Sequence, residues 1–397
     1  MTTNNPEVRE IPRGLTLLGM FLVVVGMQVF IIQPGLIAII AGRLNLTEDW
    51  AGYIASGEMA GIAAATILLA FVGTRWSWPK TAVAGAALAL AGNLASVFIT
   101  DPALFLASRT VAGFGCGFLI SIGYSVVGLS SNADRDFGRL ISLVLVYGAA
   151  GVFVLPTADA LIGLGGIMAV LAALNLVAIP MAMRLPTSGH SAVTAHGELA
   201  AEAPMESARM RPVPVLIAGG LFFLGQGFVW AFLSLIGLSF GIAEQAVANG
   251  LMVAQLAGIG GAFCLAWLGG RYSQSTFLIV GSLASFLPLL ALLGGASAVG
   301  YGAGVTVFNF AANLLTPLLM AMAAVADTSG KTVQRAAAVQ MIGLAAGPAL
   351  AAPLAASFGF PTVLVVASAL FASTAIAGIY ALRSRQHHAA KTEGLAA

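Results

Sequence analysis

Two ionisable residues stand in stretches apolar enough to be buried: Glu58 in "ASGEMAGIAAA" and Arg109 in "LASRTVAGFGCG". A carboxyl group in such surroundings is pushed toward its neutral form by desolvation and held ionised by a nearby guanidinium. A change in either influence loads or releases a proton, so the pair has the chemistry of a proton carrier. The same pair also has the chemistry of a static tie between two segments. Both readings apply to Glu58 and Arg109. Asp159 is a weaker candidate of the same kind.

Uncharged polar residues recur in other apolar stretches. Gln28 and Gln33 precede Pro34, where a kink frees backbone carbonyls. Gln226, Trp230 and Ser234 recur every four residues, as do Asn309 and Asn313, flanked by Thr306 and Thr316 at helical spacing; Gln255 stands alone. Buried amides serve as glue between helices or as ligands of a substrate. The expected substrate cavity is lined by Gln28, Gln33, Gln226, Trp230, Gln255, Asn309 and Asn313. Arg109, Gly113, Gly117 and Ser121 share one helix face, and Gly113, Gly115 and Gly117 suit close packing against a neighbouring backbone.

The elements that must position these residues follow from composition. Of the 397 residues 59% are hydrophobic and 8% charged, too few charges to solvate a globular surface. A helix needs about 20 apolar residues to cross a bilayer core of ~30 Å. Spans are expected near 13–41, 50–73, 80–100, 102–130, 138–160, 165–184, 213–238, 246–269, 275–296, 299–326, 335–357 and 360–382. The fold class expected is therefore an all-α integral membrane protein with 12 transmembrane helices. The first apolar run exceeds the length of a signal core, so no cleaved leader is expected. Counted along the helices, Arg109 lies ~10 Å beyond Pro102, and Glu58 lies at similar depth beyond Trp50, so the two are expected to approach each other.

The expected organisation is a tail at 1–12, a six-helix bundle at 13–184, a linker at 185–212, a second bundle at 213–382 and a tail at 383–397. The linker is the one long polar stretch. Of the 17 Lys and Arg residues, all but Arg43 and Arg109 fall on the side that holds both termini and the linker. The positive-inside rule makes that side cytoplasmic and the location a bacterial inner membrane. Net charge near zero argues against a nucleic-acid partner. Cys116 and Cys264 lie in apolar runs and the four histidines lack ligand spacing, so neither metal nor cofactor is expected.

The halves repeat each other. "EMAGIAAATILLAFVGTRWS" from Glu58 aligns with "QLAGIGGAFCLAWLGGRYS" from Gln255 at an offset of 197, which falls to 196 after one deletion. The second offset also pairs Arg139 with Arg335 and Gly151 with Gly347. Glu58 thus matches Gln255, Arg109 matches Val305, and Gly113 and Gly117 match Asn309 and Asn313.

With six plus six spans, a linker and "RTVAGFGCG" on the fourth span, the chain resembles the major facilitator superfamily. Arg109, Gly113, Gly115 and Gly117 match that family's R-x-x-x-G-x-G-x-G pattern. The loop "GTRWSWPK" keeps Gly73, Arg75 and Lys80 but lacks the family's aspartate, and the Gly-Pro signature of the fifth span is missing; Gly347 and Pro348 occur on the eleventh instead. The resemblance implies a secondary transporter of a small organic molecule, neutral or amphipathic. It is expected to be a monomer that works by alternating access with proton-coupled efflux. Uptake of a small organic or aromatic anion is the alternative, favoured if Arg109 is unpaired. A membrane sensor or scaffold without flux is the alternative of another class.

Overall fold

A computed structural model describes residues 12–72, 76–130, 132–187, 212–269, 271–326 and 331–393. The tail at 1–11, Gly73, Arg75 and most of the expected linker (188–211) lie outside the described residues. All regular elements among the described residues are helical. They run α1 (Arg13–Arg43), α2 (Glu48–Val72), α3 (Trp78–Phe98), α4 (Pro102–Gly128), α5 (Ala133–Ala182), α6 (Pro212–Trp230), α7 (Leu233–Ser239), α8 (Glu244–Leu268), α9 (Gln274–Ala291), α10 (Ala298–Ala326), α11 (Lys331–Phe358) and α12 (Phe360–Glu393). In a hydrocarbon medium every backbone group must find its partner within the element, and a helix achieves this over any length.

Eleven of the described helices are long and apolar enough to cross a membrane, and α5 is long enough to cross twice. Its 50 residues are interrupted at Gly163, whose φ of 64° and ψ of −179° are open to glycine alone. The two limbs return to the same end of the molecule. Phe137 stacks on Tyr124 near the end of α4, while Ala182 and Leu185 join the cluster of Trp78 and Leu22. The fifth and sixth expected spans are thus the two limbs of α5, joined by a single-residue reversal. Local signals set other boundaries: Asp101 accepts a hydrogen bond from the Leu104 amide at 2.9 Å and Pro102 opens α4.

Two boundaries differ from expectation. The seventh span is broken after Trp230 into α6 and α7, at a point flanked by side-chain anchors. Trp230 Nε1 donates to the Phe30 carbonyl at 3.0 Å and the Tyr301 hydroxyl to the Leu233 carbonyl at 2.8 Å. The expected tail from 383 is not separate from the last span, because α12 stays helical to Glu393.

An offset of 196 or 197 carries α1 onto α6 and α7, α2 onto α8, α3 onto α9, α4 onto α10, the first limb of α5 onto α11 and its second limb onto α12. Packing repeats as well. Helix α4 is packed by α1, α2 and α3, as α10 is by α6, α8 and α9. The halves meet mainly where α2 packs on α11 and α5 on α8. Each of these contacts is the other's image under the repeat, so the halves are joined by a pseudo-two-fold interface. Helices alternate in direction, so the start of α1, the start of α6 and the end of α12 lie at one end of the molecule. Arg43, Asp159 and Glu244 lie at the other.

Candidate functional site

Arg109 is fully buried in the first half, and its guanidinium is spent on polar neighbours. Its Nη2 donates to Glu58 Oε1 at 2.7 Å and its Nε to Glu58 Oε2 at 3.4 Å, a two-pronged contact between α4 and α2. Nη1 donates to Asn93 Oδ1 at 2.6 Å and reaches Ser96 Oγ at 3.5 Å and Met168 Sδ at 3.7 Å. Ser96 and Ser108 share a further hydrogen bond at 2.9 Å. The side chains of Arg109 and Glu58 are 1% and 3% exposed, and each neighbour named here belongs to α2, α3, α4 or α5. A charge at such depth is costly alone, by ~2.5–3.5 kcal/mol on insertion scales. The pair answers that cost within one half.

The glycines bring the helices together. A methyl on Gly113 would sit 2.1 Å from the Glu58 carbonyl oxygen, one on Gly115 2.4 Å from that of Gly85, and one on Gly117 2.7 Å from that of Ile62. Gly113 and Gly117 thus seat α2, and Gly115 seats α3, at backbone contact with α4. Without that approach Glu58 and Asn93 would stand too far from Arg109.

The sequence signals for this network were uneven. Asn93 is the one amide in its span, a signal that was available; Ser96 and Met168 have none. Replacing Asn93 with leucine removes the 2.6 Å acceptor and leaves part of a buried cation unpaired. The expected loss is about 1.5–3 kcal/mol, read as a lower melting temperature in detergent.

The amides expected to line a cavity are placed as follows. Gln28 donates to the Leu171 carbonyl at 3.4 Å and Gln33 to that of Ala55 at 3.3 Å, both within the first half. Asn313 Nδ2 donates to the Asn309 carbonyl at 2.9 Å, and Asn309 Nδ2 donates to the Ala254 carbonyl at 2.8 Å and to Gln255 Oε1 at 3.3 Å. Gln255 Nε2 in turn donates to the Ile31 carbonyl at 2.8 Å, across to the first half. Gln226 is half-buried and its Oε1 has no hydrogen-bond partner.

A cavity of about 500 Å³ lies between the halves at the Arg43 end. Its lining includes Gly35, Arg43, Val152 and Asp159 from the first half and Ser234, Leu238, Glu244 and Leu251 from the second. None of the residues assigned to a cavity from sequence lines this one. Trp230 and Gln255 instead lie one helical turn beyond its deepest residues: Ile31 precedes Gly35 by four positions, Gly148 precedes Val152, Trp230 precedes Ser234 and Gln255 follows Leu251. Those residues form the floor, where Trp230 and Gln255 bond to α1. At the rim, Arg43 Nε bonds Asp159 Oδ1 at 2.9 Å, a pair that sequence reasoning did not join. Arg43 is the one cation expected at that end, which was the available signal.

Two pseudo-symmetric six-span halves around a cavity define a membrane transporter of the two-bundle kind. The model of the Major Facilitator Superfamily matches residues 17–332, and the chain belongs to that family. Among solved structures, the nucleoside transporter NupG superposes with a TM-score of 0.74 at 12% identity, covering 92% of this chain and 99% of that one. A D-xylose-proton symporter superposes with a TM-score of 0.68 at 14% identity, covering 92% and 96%. In direct sequence comparison no curated protein matches.

Proposed function

We infer that the protein is a secondary active transporter of a small amphipathic organic molecule, neutral or cationic, driven outward by the proton gradient through alternating access. The observation that carries this reading is the cavity at the Arg43 end, built by both halves. Its volume suits a drug-sized ligand. Its walls include Ile39, Val152, Leu155, Leu238, Val247 and Leu251, and its charges are one arginine against the two carboxylates Asp159 and Glu244. Such a lining favours a cation over an anion. The closed Glu58–Arg109 pair points the same way, because it offers no free guanidinium to an organic anion. Lys80, Arg135, Arg139, Arg184, Arg271, Arg335 and Arg383 lie at the termini end, which supports a cytoplasmic location for that end.

Rocking of the halves changes what lies between them and leaves the interior of each half alone. The Glu58–Arg109 network belongs wholly to the first half, so we assign it a static role: it fixes α2 to α4 and lets the half move as one body. Asp159 and Glu244 come from different halves and share the cavity with Arg43, so their surroundings change in each cycle. Proton coupling is assigned to them. In proteoliposomes with an imposed pH gradient, a lipophilic cation such as ethidium is expected to accumulate in a protein-dependent way. Replacement of Asp159 by Asn should cut gradient-driven accumulation at least tenfold while leaving downhill exchange within about threefold, the scale of one ordinary hydrogen bond. Equal loss of both would remove Asp159 from the coupling.

A further inference from the structure

The hydrogen bonds that cross between the halves share an unusual acceptor. Trp230 Nε1 donates to the Phe30 carbonyl at 3.0 Å and Gln255 Nε2 to the Ile31 carbonyl at 2.8 Å, four and three residues before Pro34. Gln245 Nε2 donates to the Phe153 carbonyl at 3.2 Å, three residues before Pro156. Ser56 Oγ donates to the Ala345 carbonyl, three residues before Pro348. Each of these four crossing bonds, among the described residues, ends on the turn that a proline opens. Most side-chain bonds within a half do not follow the pattern: Gln33 to Ala55, Asn309 to Ala254 and Tyr301 to Leu233 end on carbonyls with no proline three or four residues on, and the exception, Thr362 to Phe358 before Pro361, spans only four residues.

The chemistry explains the preference. Residue 34 has no N–H, so the Phe30 carbonyl lacks its helical donor, and the ring's clash with the preceding turn splays the neighbouring carbonyl outward. An orphaned carbonyl away from water costs several kcal/mol. A donor from the opposite half removes that cost, whereas a donor offered to an intact helix gains little. When the halves part, the Phe30 carbonyl must be met by water or by a donor on the ligand, while those of Ile31, Phe153 and Ala345, three residues before their prolines, lose the crossing bond but not a helical donor.

We propose that the turns bearing Pro34, Pro156 and Pro348 present the acceptors of a latch that holds the halves together in this state. Trp230, Gln255, Gln245 and Ser56 are its donors. The latch at Pro34 is also the floor of the cavity, so its release joins the cavity to the passage beyond. Its place in a transport cycle rests on the alternating-access reading; the latch itself does not.

The test is a distance. Spin labels on cysteines at Glu48 and Phe358, both exposed at the Arg43 end on facing helices α2 and α11, are placed in a Cys116→Ala, Cys264→Ala background and read by pulsed electron resonance. Pro34→Ala restores an N–H to the Phe30 carbonyl, and Trp230→Phe removes its cap. Each is expected to raise the long-distance population about two- to tenfold, the range of one hydrogen bond. In the Pro34→Ala background, Trp230→Phe should add nothing, because the acceptor no longer needs it. Gln245→Leu with Pro156→Ala tests the other kind of acceptor at an exposed site: the Phe153 carbonyl keeps a helical donor and is only turned outward by the proline, so non-additivity is expected there because alanine lets that turn close. Unchanged distances, or effects that simply add in both cycles, overturn the latch. Responding distances in a protein that moves no solute would keep the latch and remove the transport reading.

Discussion

Replacing Arg109 with methionine will cost about 3–5 kcal/mol of stability, the usual result of stranding one member of a buried ion pair. The stranded group is the Glu58 carboxylate, 3% exposed, which loses both of its contacts to the guanidinium. Asn93 and Ser96 lose their contacts to the same group. Glu58→Gln also leaves a buried charge, the Arg109 guanidinium, without its counter-ion, but is expected to be milder because the amide oxygen and Asn93 Oδ1 still accept from it. The pair Glu58→Leu, Arg109→Met should recover much of the loss, since burying two charges is expensive in itself and an apolar pair of similar volume is often neutral. Thermal unfolding in detergent reads all three. A double variant no better than Arg109→Met alone would show that the network does more than pair two charges.

The second large effect is expected at a residue with no side chain. Gly113→Ala places a methyl 2.1 Å from the oxygen, 2.9 Å from the carbon and 3.1 Å from the Cα of the Glu58 peptide. All three are backbone atoms, so no rotamer change relieves the contact and α2 must move as a helix. Overpacking of this kind costs about 1–3 kcal/mol in a well-packed core, and here it also carries the Glu58 carboxylate away from Arg109. Losses at the top of that range or above it are expected. Gly219→Ala is the control: its methyl meets nothing within 4 Å, and the change should stabilise α6 by about 0.5–1 kcal/mol through helix propensity. Equal melting temperatures for the two variants would contradict the close approach of α2 and α4.

The spans were legible because a bilayer demands long apolar helices and the repeat fixes their register at 196 or 197. The reversal at Gly163 was less so: nothing in the sequence distinguishes a one-residue turn from a short loop, and only the φ of 64° does. The proximity of Glu58 and Arg109 could be read from depth alone, since two opposite charges at one level of adjacent spans have few other partners. The amides were harder. Helical spacing shows which residues share a face but not which neighbour that face meets, so Gln28 and Gln33 turn out to bond inside the first half. Pro34 was legible as a gap in the hydrogen-bond ladder of α1, whereas the partners of the carbonyls beside it were not, because Trp230 and Gln255 come from some 200 positions along the chain.

The division of labour between a static pair and a charged cavity is tested most directly by gradient-driven flux through Glu58→Gln in proteoliposomes. Wild type and Glu58→Gln are both expected to accumulate ethidium under an imposed pH gradient, with the ratio of driven to downhill flux unchanged. Loss of driven accumulation with downhill exchange intact would contradict this and make Glu58 the proton carrier.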